Sequence, residues 1–262
     1  MAQNLFDLTG KVALVTGANS GLGLGFATGL AKSGADIVIW GRRADKNAAI
    51  VEQLKQYGTR VIAQEVDVTN EADVVSAMAE AVKKMGRLDC VIANAGTATM
   101  MPSFVETPSE VYHDLLAVNQ HGAVYTLREA ARHMVERSKA GDMGGSLIIC
   151  GSMSIFGGVG GLGHYAAAKG ALESLSKTLA VELGQYQIRV NVLAPGFIAT
   201  EMTQADPEVF KMIEGAFSAK TPVGRVGQPE DLEGIVVYLA SDRSTFHTGD
   251  TLIIDGGAWV NT

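Results

Sequence analysis

The chain has 262 residues, of which 47% are hydrophobic and 19% are charged, and its 28 acidic side chains outnumber its 21 basic ones. This composition excludes a disordered chain, because the apolar fraction is large enough to offset the entropy lost on folding, and two cysteines exclude a disulfide scaffold. The net charge of −7 disfavours nucleic acid and anionic membranes as partners, since both attract basic surfaces.

Short apolar runs alternate with longer helical patterns along the whole chain. The runs are hydrophobic almost without interruption, as in VALV and LIIC, which is typical of parallel strands buried on both faces. We therefore predict an α/β, doubly wound (Rossmann) fold, with a seven-stranded parallel sheet, helices on both faces and a single domain over residues 1–262. The predicted strands cover residues 11–16, 36–41, 60–66, 88–93, 146–151, 187–193 and 251–254, and the predicted helices cover 22–33, 44–57, 71–85, 108–117, 120–139, 165–184 and 229–241.

Two connections are longer than a tight turn between a strand and a helix. They cover residues 151–164, after the fifth predicted strand, and residues 194–227, after the sixth. Both leave the carboxyl edge of the sheet, where open α/β folds bind their ligands. We expect the substrate pocket there, with residues 194–227 acting as a substrate loop or lid.

A glycine-rich loop, TGANSGLG at residues 16–23, joins the first predicted strand to a helix. Glycines permit a tight turn and close backbone approach, and the free N–H groups of a helix N-terminus suit a pyrophosphate. The spacing G-x-x-x-G-x-G departs from the usual G-x-G-x-x-G fingerprint, and by itself it fits a structural turn equally well. Its position between strand and helix favours a dinucleotide site, with contacts from Gly17, Asn19, Ser20, Gly21, Leu22 and Gly23.

The end of the second predicted strand bears on the choice of cofactor. An acidic residue at this point normally holds the ribose hydroxyls of a cofactor without a 2′-phosphate, but the sequence here is Trp40-Gly41-Arg42-Arg43. Two guanidinium groups attract a 2′-phosphate. The sequence thus favours NADP(H), with NAD(H) as the alternative; the structural alternative is that Arg42 and Arg43 are solvated residues at a helix start.

Several motifs follow one another in a characteristic order over essentially the whole chain, and together they resemble those of the short-chain dehydrogenase/reductase family. The general pattern is similar to that of 3-oxoacyl-carrier-protein reductases and of related sugar, polyol and ketone dehydrogenases. The motifs are TGANSGLG, Asp67-Val68, Asn94-Ala95-Gly96, Asn119, Ser152, Tyr165-x-x-x-Lys169 and Pro195-Gly196.

The resemblance implies further cofactor contacts. It places Asp67 against the adenine amino group, with the backbone of Val68 beside it. Ala93 is a small departure, because many relatives carry a second Asn there, and we expect little consequence from it. The other implied contacts are Asn94, Ala95 and Gly96 at the adenosine ribose, and Pro195, Gly196, Ile198 and Thr200 on the nicotinamide side.

The predicted catalytic group combines a phenol, an amine and a hydroxyl. Tyr165 and Lys169 are four residues apart in a predicted helix and therefore share a face, where the positive charge of Lys169 favours the phenolate form. Ser152 ends the fifth predicted strand and can donate a hydrogen bond to a substrate oxygen that gains negative charge. The resemblance adds Asn119, which would hold a water linking Lys169 to solvent. Tyr165 and Lys169 also count as cofactor contacts, Lys169 at the nicotinamide ribose.

These residues predict an oxidoreductase that moves a hydride between a nicotinamide cofactor and a carbonyl or secondary alcohol, with Tyr165 as proton donor or acceptor. The loop GSMSIFGGVGGLGH has few charges, which favours a small neutral or lipophilic ketone or a sugar-derived carbonyl. The first alternative is a 3-oxoacyl thioester on an acidic carrier protein, which Arg132 and Arg137 would help to bind. The second is a non-catalytic NAD(P)-binding sensor or structural subunit, which the presence of all three catalytic residues disfavours.

The remaining predictions concern metals, assembly and location. His113, His121, His133 and His247 show no metal-ligand spacing with cysteines or carboxylates, so we predict no metal. The resemblance implies a homotetramer that assembles through the helices predicted at 120–139 and 165–184. The start MAQNLFDLTGK has no signal-peptide pattern and no apolar run reaches the roughly 18 residues of a spanning helix, so we expect a cytoplasmic protein.

Overall fold

The structure, a computed structural model, describes residues 5–204 and 206–261. Within these residues, seven parallel strands form one sheet in the spatial order third, second, first, fourth, fifth, sixth, seventh. The order confirms the predicted doubly wound α/β fold in a single domain, and no predicted strand end is wrong by more than two residues. The strands are β1 (Val12–Thr16), β2 (Asp36–Gly41), β3 (Val61–Glu65), β4 (Cys90–Ala93), β5 (Gly145–Cys150), β6 (Ile188–Pro195) and β7 (Thr251–Ile254).

Helices cover both faces of this sheet. No helix among the described residues is long and apolar enough to cross a membrane. The predicted domain (1–262) and the predicted lid (194–227) include positions outside the described residues, namely 1–4 and 262 for the domain and 205 for both. The helices are α1 (Gly21–Lys32), α2 (Ala44–Lys55), α3 (Glu71–Met85), α4 (Ser109–Leu116), α5 (Gly122–Lys139), α6 (Gly163–Leu183), α7 (Pro207–Lys220) and α8 (Glu233–Ala240).

The inner strands of the sheet are buried on both faces, which explains their hydrophobic runs, whereas the edge strands β3 and β7 are partly exposed. Successive side chains of a strand point to opposite faces, so that Val12 and Leu14 of β1 belong to one core layer and Ala13 and Val15 to the other. The first layer packs α3, α5 and α6 against the sheet, and the second packs α1, α2 and α8. The loops that follow β1, β2, β4, β5 and β6 at the carboxyl edge therefore begin at the ends of buried strands.

Two helical features differ from the sequence prediction. A π-helical turn, Ala117–His121, joins α4 to α5, so that the two predicted helices form one continuous helical segment. Within the predicted lid, α7 was not predicted as a helix. Its start nevertheless has a recognisable cap: Asp206 Oδ1 accepts a hydrogen bond of 3.1 Å from the backbone N–H of Glu208, and Pro207 occupies the first position.

Candidate active site

The loop between β1 and α1 has a conformation that requires glycine. Gly17 and Gly21 have φ values of +66° and +53°, in the left-handed region. At Gly23 a Cβ atom would lie 2.3 Å from the carbonyl oxygen of Gly17, so no side chain fits there. In the described part of the chain, the side chain of the N-cap Ser20 makes no capping hydrogen bond. The first N–H groups of α1 therefore stay available to an anion.

Hydrogen bonds tie this glycine loop to the loop that follows β4. Thr16 Oγ1 accepts hydrogen bonds from the backbone N–H groups of Asn94 (2.9 Å) and Ala95 (2.8 Å), and Asn94 Nδ2 donates to the carbonyl of Thr16 at 2.8 Å. The strand order changes direction at β1 and β4, and such switch points form ligand crevices in doubly wound folds. The two loops are thus fixed relative to each other at the expected place for a dinucleotide.

The end of β2 forms a cationic rim. Asn19 Nδ2 donates to Asn47 Oδ1 at 2.8 Å, and Asn47 Nδ2 donates to the carbonyl of Gly41 at 2.8 Å, so the glycine loop is braced against the start of α2. Arg42 and Arg43 follow directly and are exposed. Within residues 5–204 and 206–261, neither guanidinium forms an ion pair. The rim therefore offers two guanidinium groups without an ion-pair partner among the described residues, although Asp67 lies within electrostatic reach of Arg42 and Glu201 within reach of Arg43.

Asp67 is held in an ionised, oriented state after β3. Its Oδ1 accepts hydrogen bonds from the backbone N–H of Thr69 (3.0 Å) and from Thr69 Oγ1 (2.8 Å). The backbone hydrogen bond, the hydroxyl and the charge of Arg42 hold the pKa of Asp67 below its usual value, although partial burial opposes them. The second oxygen of this carboxylate can accept a hydrogen bond from an amino group.

Lys169 and Tyr165 meet at the carboxyl end of β5. Lys169 is buried, and its Nζ donates a hydrogen bond of 2.7 Å to the carbonyl of Cys150, the last residue of β5. The same Nζ lies 5.7 Å from the centroid of the Tyr165 ring. Ser152 Oγ accepts a hydrogen bond of 3.1 Å from the backbone N–H of Ser154, which fixes the position of the hydroxyl. The three predicted catalytic side chains lie around one cavity.

Asn119 lies behind the loop after β4 and not, like Ser152, Tyr165 and Lys169, at the cavity. It lies in the π-helical turn with no exposed surface, where its Oδ1 accepts from the backbone N–H of Thr97 (2.8 Å) and its Nδ2 donates to the carbonyl of Thr97 (2.7 Å). The side chain thus braces the loop after β4. Thr97 lines the cavity, whereas Asn119 is not among the described residues that do so. That Asn119 holds a water linking Lys169 to solvent stays a prediction.

The cavity has a volume of about 820 Å³ and runs along the carboxyl edge of the sheet. All the predicted site residues other than Asn119 line it. Most of the lining residues that were not predicted lie at or shortly after a strand end, which is the signal that could have found them; Val118 in the π-helical turn and Glu201, Met202 and Thr203 in the lid carry no such signal. The missed lining residues are Trp40, Gly41, Val66, Thr97, Val118, Cys150, Gly151, Phe197, Glu201, Met202 and Thr203.

These residues fit a nicotinamide dinucleotide. A Cβ atom at Gly17 would come within 3.0 Å of Ala95 Cα and 3.1 Å of Asn94 Nδ2, so the glycine keeps the cradle between the two loops open. The N-terminus of α1 suits a pyrophosphate, and the rim at Arg42 and Arg43 suits a further phosphate. Fold and site together define a dinucleotide-binding oxidoreductase of the doubly wound class.

Comparison with known proteins agrees with this class. The family model described as enoyl-(acyl carrier protein) reductase matches residues 17–258. The chain is 38% identical over 261 residues to 5-keto-D-gluconate 5-reductase of Escherichia coli (strain K12), and the alignment covers 98% of each chain. It is 37% identical over 258 residues to L-rhamnose 1-dehydrogenase (NAD(P)(+)) of Sphingomonas sp. (strain SKA58), and that alignment covers 97% of this chain and 98% of the relative. A crystal structure of gluconate 5-dehydrogenase from Burkholderia cenocepacia J2315, in complex with NADP and tartrate, aligns with a TM-score of 0.90 and 33% identity over 99% of both chains.

The chain belongs to the short-chain dehydrogenase/reductase family. It is an NAD(P)-dependent oxidoreductase that interconverts carbonyl groups and secondary alcohols. These findings confirm the family, the enzyme class and the cofactor class that the sequence predicted.

Proposed function

We propose that this enzyme interconverts a small neutral ketone or a sugar-derived carbonyl and the corresponding secondary alcohol, with NADP(H) as the favoured cofactor. The observation that carries the proposal is the placement of Ser152, Tyr165 and Lys169 around the cavity that the glycine loop also lines. The bound nicotinamide supplies or accepts the hydride, and the protein supplies position, a proton and an electrostatic field.

In the reducing direction, the Ser152 hydroxyl donates a hydrogen bond to the carbonyl oxygen, whose negative charge grows as the carbon gains a hydride. Tyr165 then donates its phenolic proton to that oxygen, which gives the alcohol and leaves a phenolate. The ammonium group of Lys169, 5.7 Å from the ring centroid, stabilises this phenolate until solvent returns the proton. In the oxidising direction, Tyr165 accepts the proton from the alcohol.

The cavity favours a neutral substrate because its charged groups lie at one end. Besides Lys169, the charged side chains among the described lining residues are those of Arg42, Arg43, Asp67 and Glu201, all near β2, β3 or α2. At the catalytic end, Phe197 lines the cavity, and its ring centroid lies 4.6 Å from that of Phe217 and 6.2 Å from that of Phe210. A substrate carboxylate would meet no counter-charge there other than Lys169.

Residues 194–227 act as a lid in this proposal. The two aromatic side chains of α7, Phe210 and Phe217, are seven residues apart, a spacing that places them on one face of the helix, and both stack on Phe197 at the cavity wall. Aromatic stacking of this kind keeps the helix over the pocket and excludes water. Because each stacked pair contributes only about 1 kcal/mol, the helix can still move when substrate enters.

A carrier-protein substrate is less well supported, although the matching family model is described by that class of substrate. Arg137 does not form part of an available basic surface: it is 9% exposed, and its Nη1 donates to the Leu88 carbonyl (2.8 Å) and to Asp89 (3.0 Å). Arg132 is paired with Glu129 at 2.8 Å. The helix that was expected to bind an acidic partner has therefore little free positive charge.

The direct test is to measure initial rates of NADPH and NADH oxidation, and of NADP⁺ and NAD⁺ reduction, with a substrate panel. The panel contains small ketones, L-rhamnose, 5-keto-D-gluconate and a 3-oxoacyl thioester. We expect turnover with a small ketone or a sugar-derived compound to exceed turnover with the thioester, and the lack of a counter-charge other than Lys169 among the described residues at the catalytic end predicts that L-rhamnose is preferred to 5-keto-D-gluconate. Preferred turnover of the thioester would overturn the substrate class, and cofactor binding without turnover of any compound would favour the sensor alternative.

The cofactor preference gives a separate prediction. Replacing Arg42→Asp together with Arg43→Leu removes the cationic rim and adds a negative charge, so the ratio of NADPH to NADH affinity should fall by about tenfold or more. Dissociation constants measured by fluorescence titration check this. Lys83→Asp, on the exposed surface of α3, is the control for a general change in charge and should leave the ratio unchanged. An unchanged ratio in the double variant would contradict the assignment of a 2′-phosphate to this rim.

We further propose a homotetramer, formed through α5 and α6, that works in the cytoplasm. Apolar side chains that the monomer buries only in part lie on both helices, including Val124, Val135, Leu175 and Leu179. The two cysteines are free, buried thiols, which suits a reducing compartment. Light scattering should give four times the chain mass of 27.5 kDa. A stable monomer at micromolar concentration would refute the tetramer.

A further inference from the structure

The lid places a carboxylate at the cationic end of the cavity. Glu201 Oε2 lies 2.7 Å from Lys46 Nζ, although the two residues are 155 positions apart in the chain. Lys46 is in the first turn of α2, three residues after Arg43, and Glu201 is a lining residue of the cavity. The ion pair therefore links the start of the lid to the rim of the cofactor site.

The surroundings of this ion pair contain more positive than negative charge, the other acidic groups being the exposed Asp45 and Asp67, which lies within electrostatic reach of Arg42. Arg42 and Arg43 are exposed and unpaired in the described part of the chain, and the N-terminus of α2 adds the partial positive charge of its free N–H groups. The hydrogen bond from Lys46, together with the charges of Lys46 and Arg43, holds the pKa of Glu201 below its usual value. Glu201 is thus ionised at neutral pH and lies within electrostatic reach of Arg43.

We propose that Glu201 is a specificity-determining residue that weakens the binding of NADP(H) relative to NAD(H). A 2′-phosphate at the cationic rim would compete with the Glu201 carboxylate for Lys46 and Arg43, and two anions held by the same cations repel each other. NAD(H) carries no such phosphate, so the Lys46–Glu201 ion pair can stay intact and keep the lid over the bound cofactor. The inference rests on the proposed function, because it uses the assignment of the 2′-phosphate to this rim.

The size of the effect follows from the exposure of the pair. The side chains of Lys46 and Glu201 are 35% and 63% exposed, so water and salt screen their interactions. At low ionic strength we expect Glu201 to weaken NADPH binding by about three- to tenfold relative to NADH binding. The effect should shrink at high salt, since screening between exposed charges is strong beyond roughly one Debye length.

The test replaces the carboxylate by an amide of nearly the same shape. In Glu201→Gln, the ratio of NADPH to NADH affinity, measured by isothermal titration without substrate, should rise by about three- to tenfold in dilute buffer and by less in about 0.5 M salt. The matched control is Glu208→Gln, which makes the same change of charge on an exposed lid residue in the first turn of α7. It should leave the ratio at the wild-type value.

The two variants distinguish the role of Glu201 from the assignment of the 2′-phosphate to Arg42 and Arg43. If Glu201→Gln gives the same ratio as Glu208→Gln and the wild type, while the Arg42→Asp, Arg43→Leu variant lowers it, the inference is wrong and the proposed cofactor site stands. If the arginine variant also leaves the ratio unchanged, the cofactor assignment itself fails. Thermal melting of each variant checks that the protein is folded, which we expect because both glutamates are exposed.

Discussion

Tyr165→Phe should lower turnover by about 10³-fold or more, because the variant loses the group that donates or accepts the proton in the transition state. Removal of the hydroxyl leaves Lys169 beside the ring, still bonded to the carbonyl of Cys150, so the local structure is kept. The affinity for NADPH and NADH should therefore stay close to that of the wild type. A fall in kcat with little change in cofactor affinity is the expected signature of a lost catalytic proton.

The measurement compares steady-state rates and cofactor dissociation constants of the variant with those of the wild type. Tyr186→Phe is the matched control, since Tyr186 lies in the turn after α6, near the opposite edge of the sheet from the cavity. It makes the same chemical change and should keep wild-type turnover. If Tyr165→Phe kept more than a tenth of the activity, another residue would have to supply the proton.

The architecture was predictable because the inner strands β1, β2, β4, β5 and β6 are buried on both faces and therefore have nearly unbroken apolar runs. The order of such runs and of the intervening helices fixes a parallel sheet. The strand ends were harder to predict, since Leu88 and the carboxylate Asp89 are both buried although β4 begins only at Cys90. The helix α7 was not predicted because residues 194–227 were treated as one long connection, although Asp206-Pro207-Glu208 is a helix-start pattern.

The site was predictable to the extent that it follows strand ends. Short motifs after β1, β4, β5 and β6 identify side chains that the parallel sheet necessarily brings to one edge. Contacts made by main-chain atoms have no signature in the sequence; one of them is the hydrogen bond from Lys169 to the Cys150 carbonyl. Ion pairs between residues far apart in the chain could not be predicted from the sequence either. The Lys46–Glu201 ion pair depends on the path of the lid, which no local pattern specifies.

The structural role of Arg137 could not be predicted from its position in the sequence. In the sequence it stands on a helix with several other basic residues, and it was interpreted as a candidate for binding an acidic carrier protein. In the structure it points into the amino edge of the sheet, where it bonds to Asp89 and to the carbonyls of Leu88 and Gly144. Asp89 also accepts a hydrogen bond of 2.9 Å from the backbone N–H of Val12, so Arg137 belongs to a structural network at the edge opposite the cavity.

Gly23→Ala should weaken the binding of both NADPH and NADH by about 10- to 100-fold, because the loss of a hydrogen bond to a charged group costs about 1.5–3 kcal/mol. The added methyl group would lie 2.3 Å from the Gly17 carbonyl oxygen and 2.6 Å from Asn94 Nδ2. Neither neighbour can move alone, since Asn94 is bonded to the Thr16 carbonyl. The glycine loop must therefore shift, and the shift displaces the N–H groups that would hold a pyrophosphate.

The equal loss for both cofactors distinguishes this variant from the substitutions at the rim, which should change the ratio of the two affinities. Gly234→Ala is the matched control: it lies in α8, and a Cβ atom there meets no described atom within 4 Å. Alanine is favoured over glycine inside a helix, so this control should bind both cofactors normally and melt slightly higher, by an amount equivalent to about 0.5–1 kcal/mol. Normal cofactor affinity in a folded Gly23→Ala variant would mean that the glycine loop does not hold the cofactor.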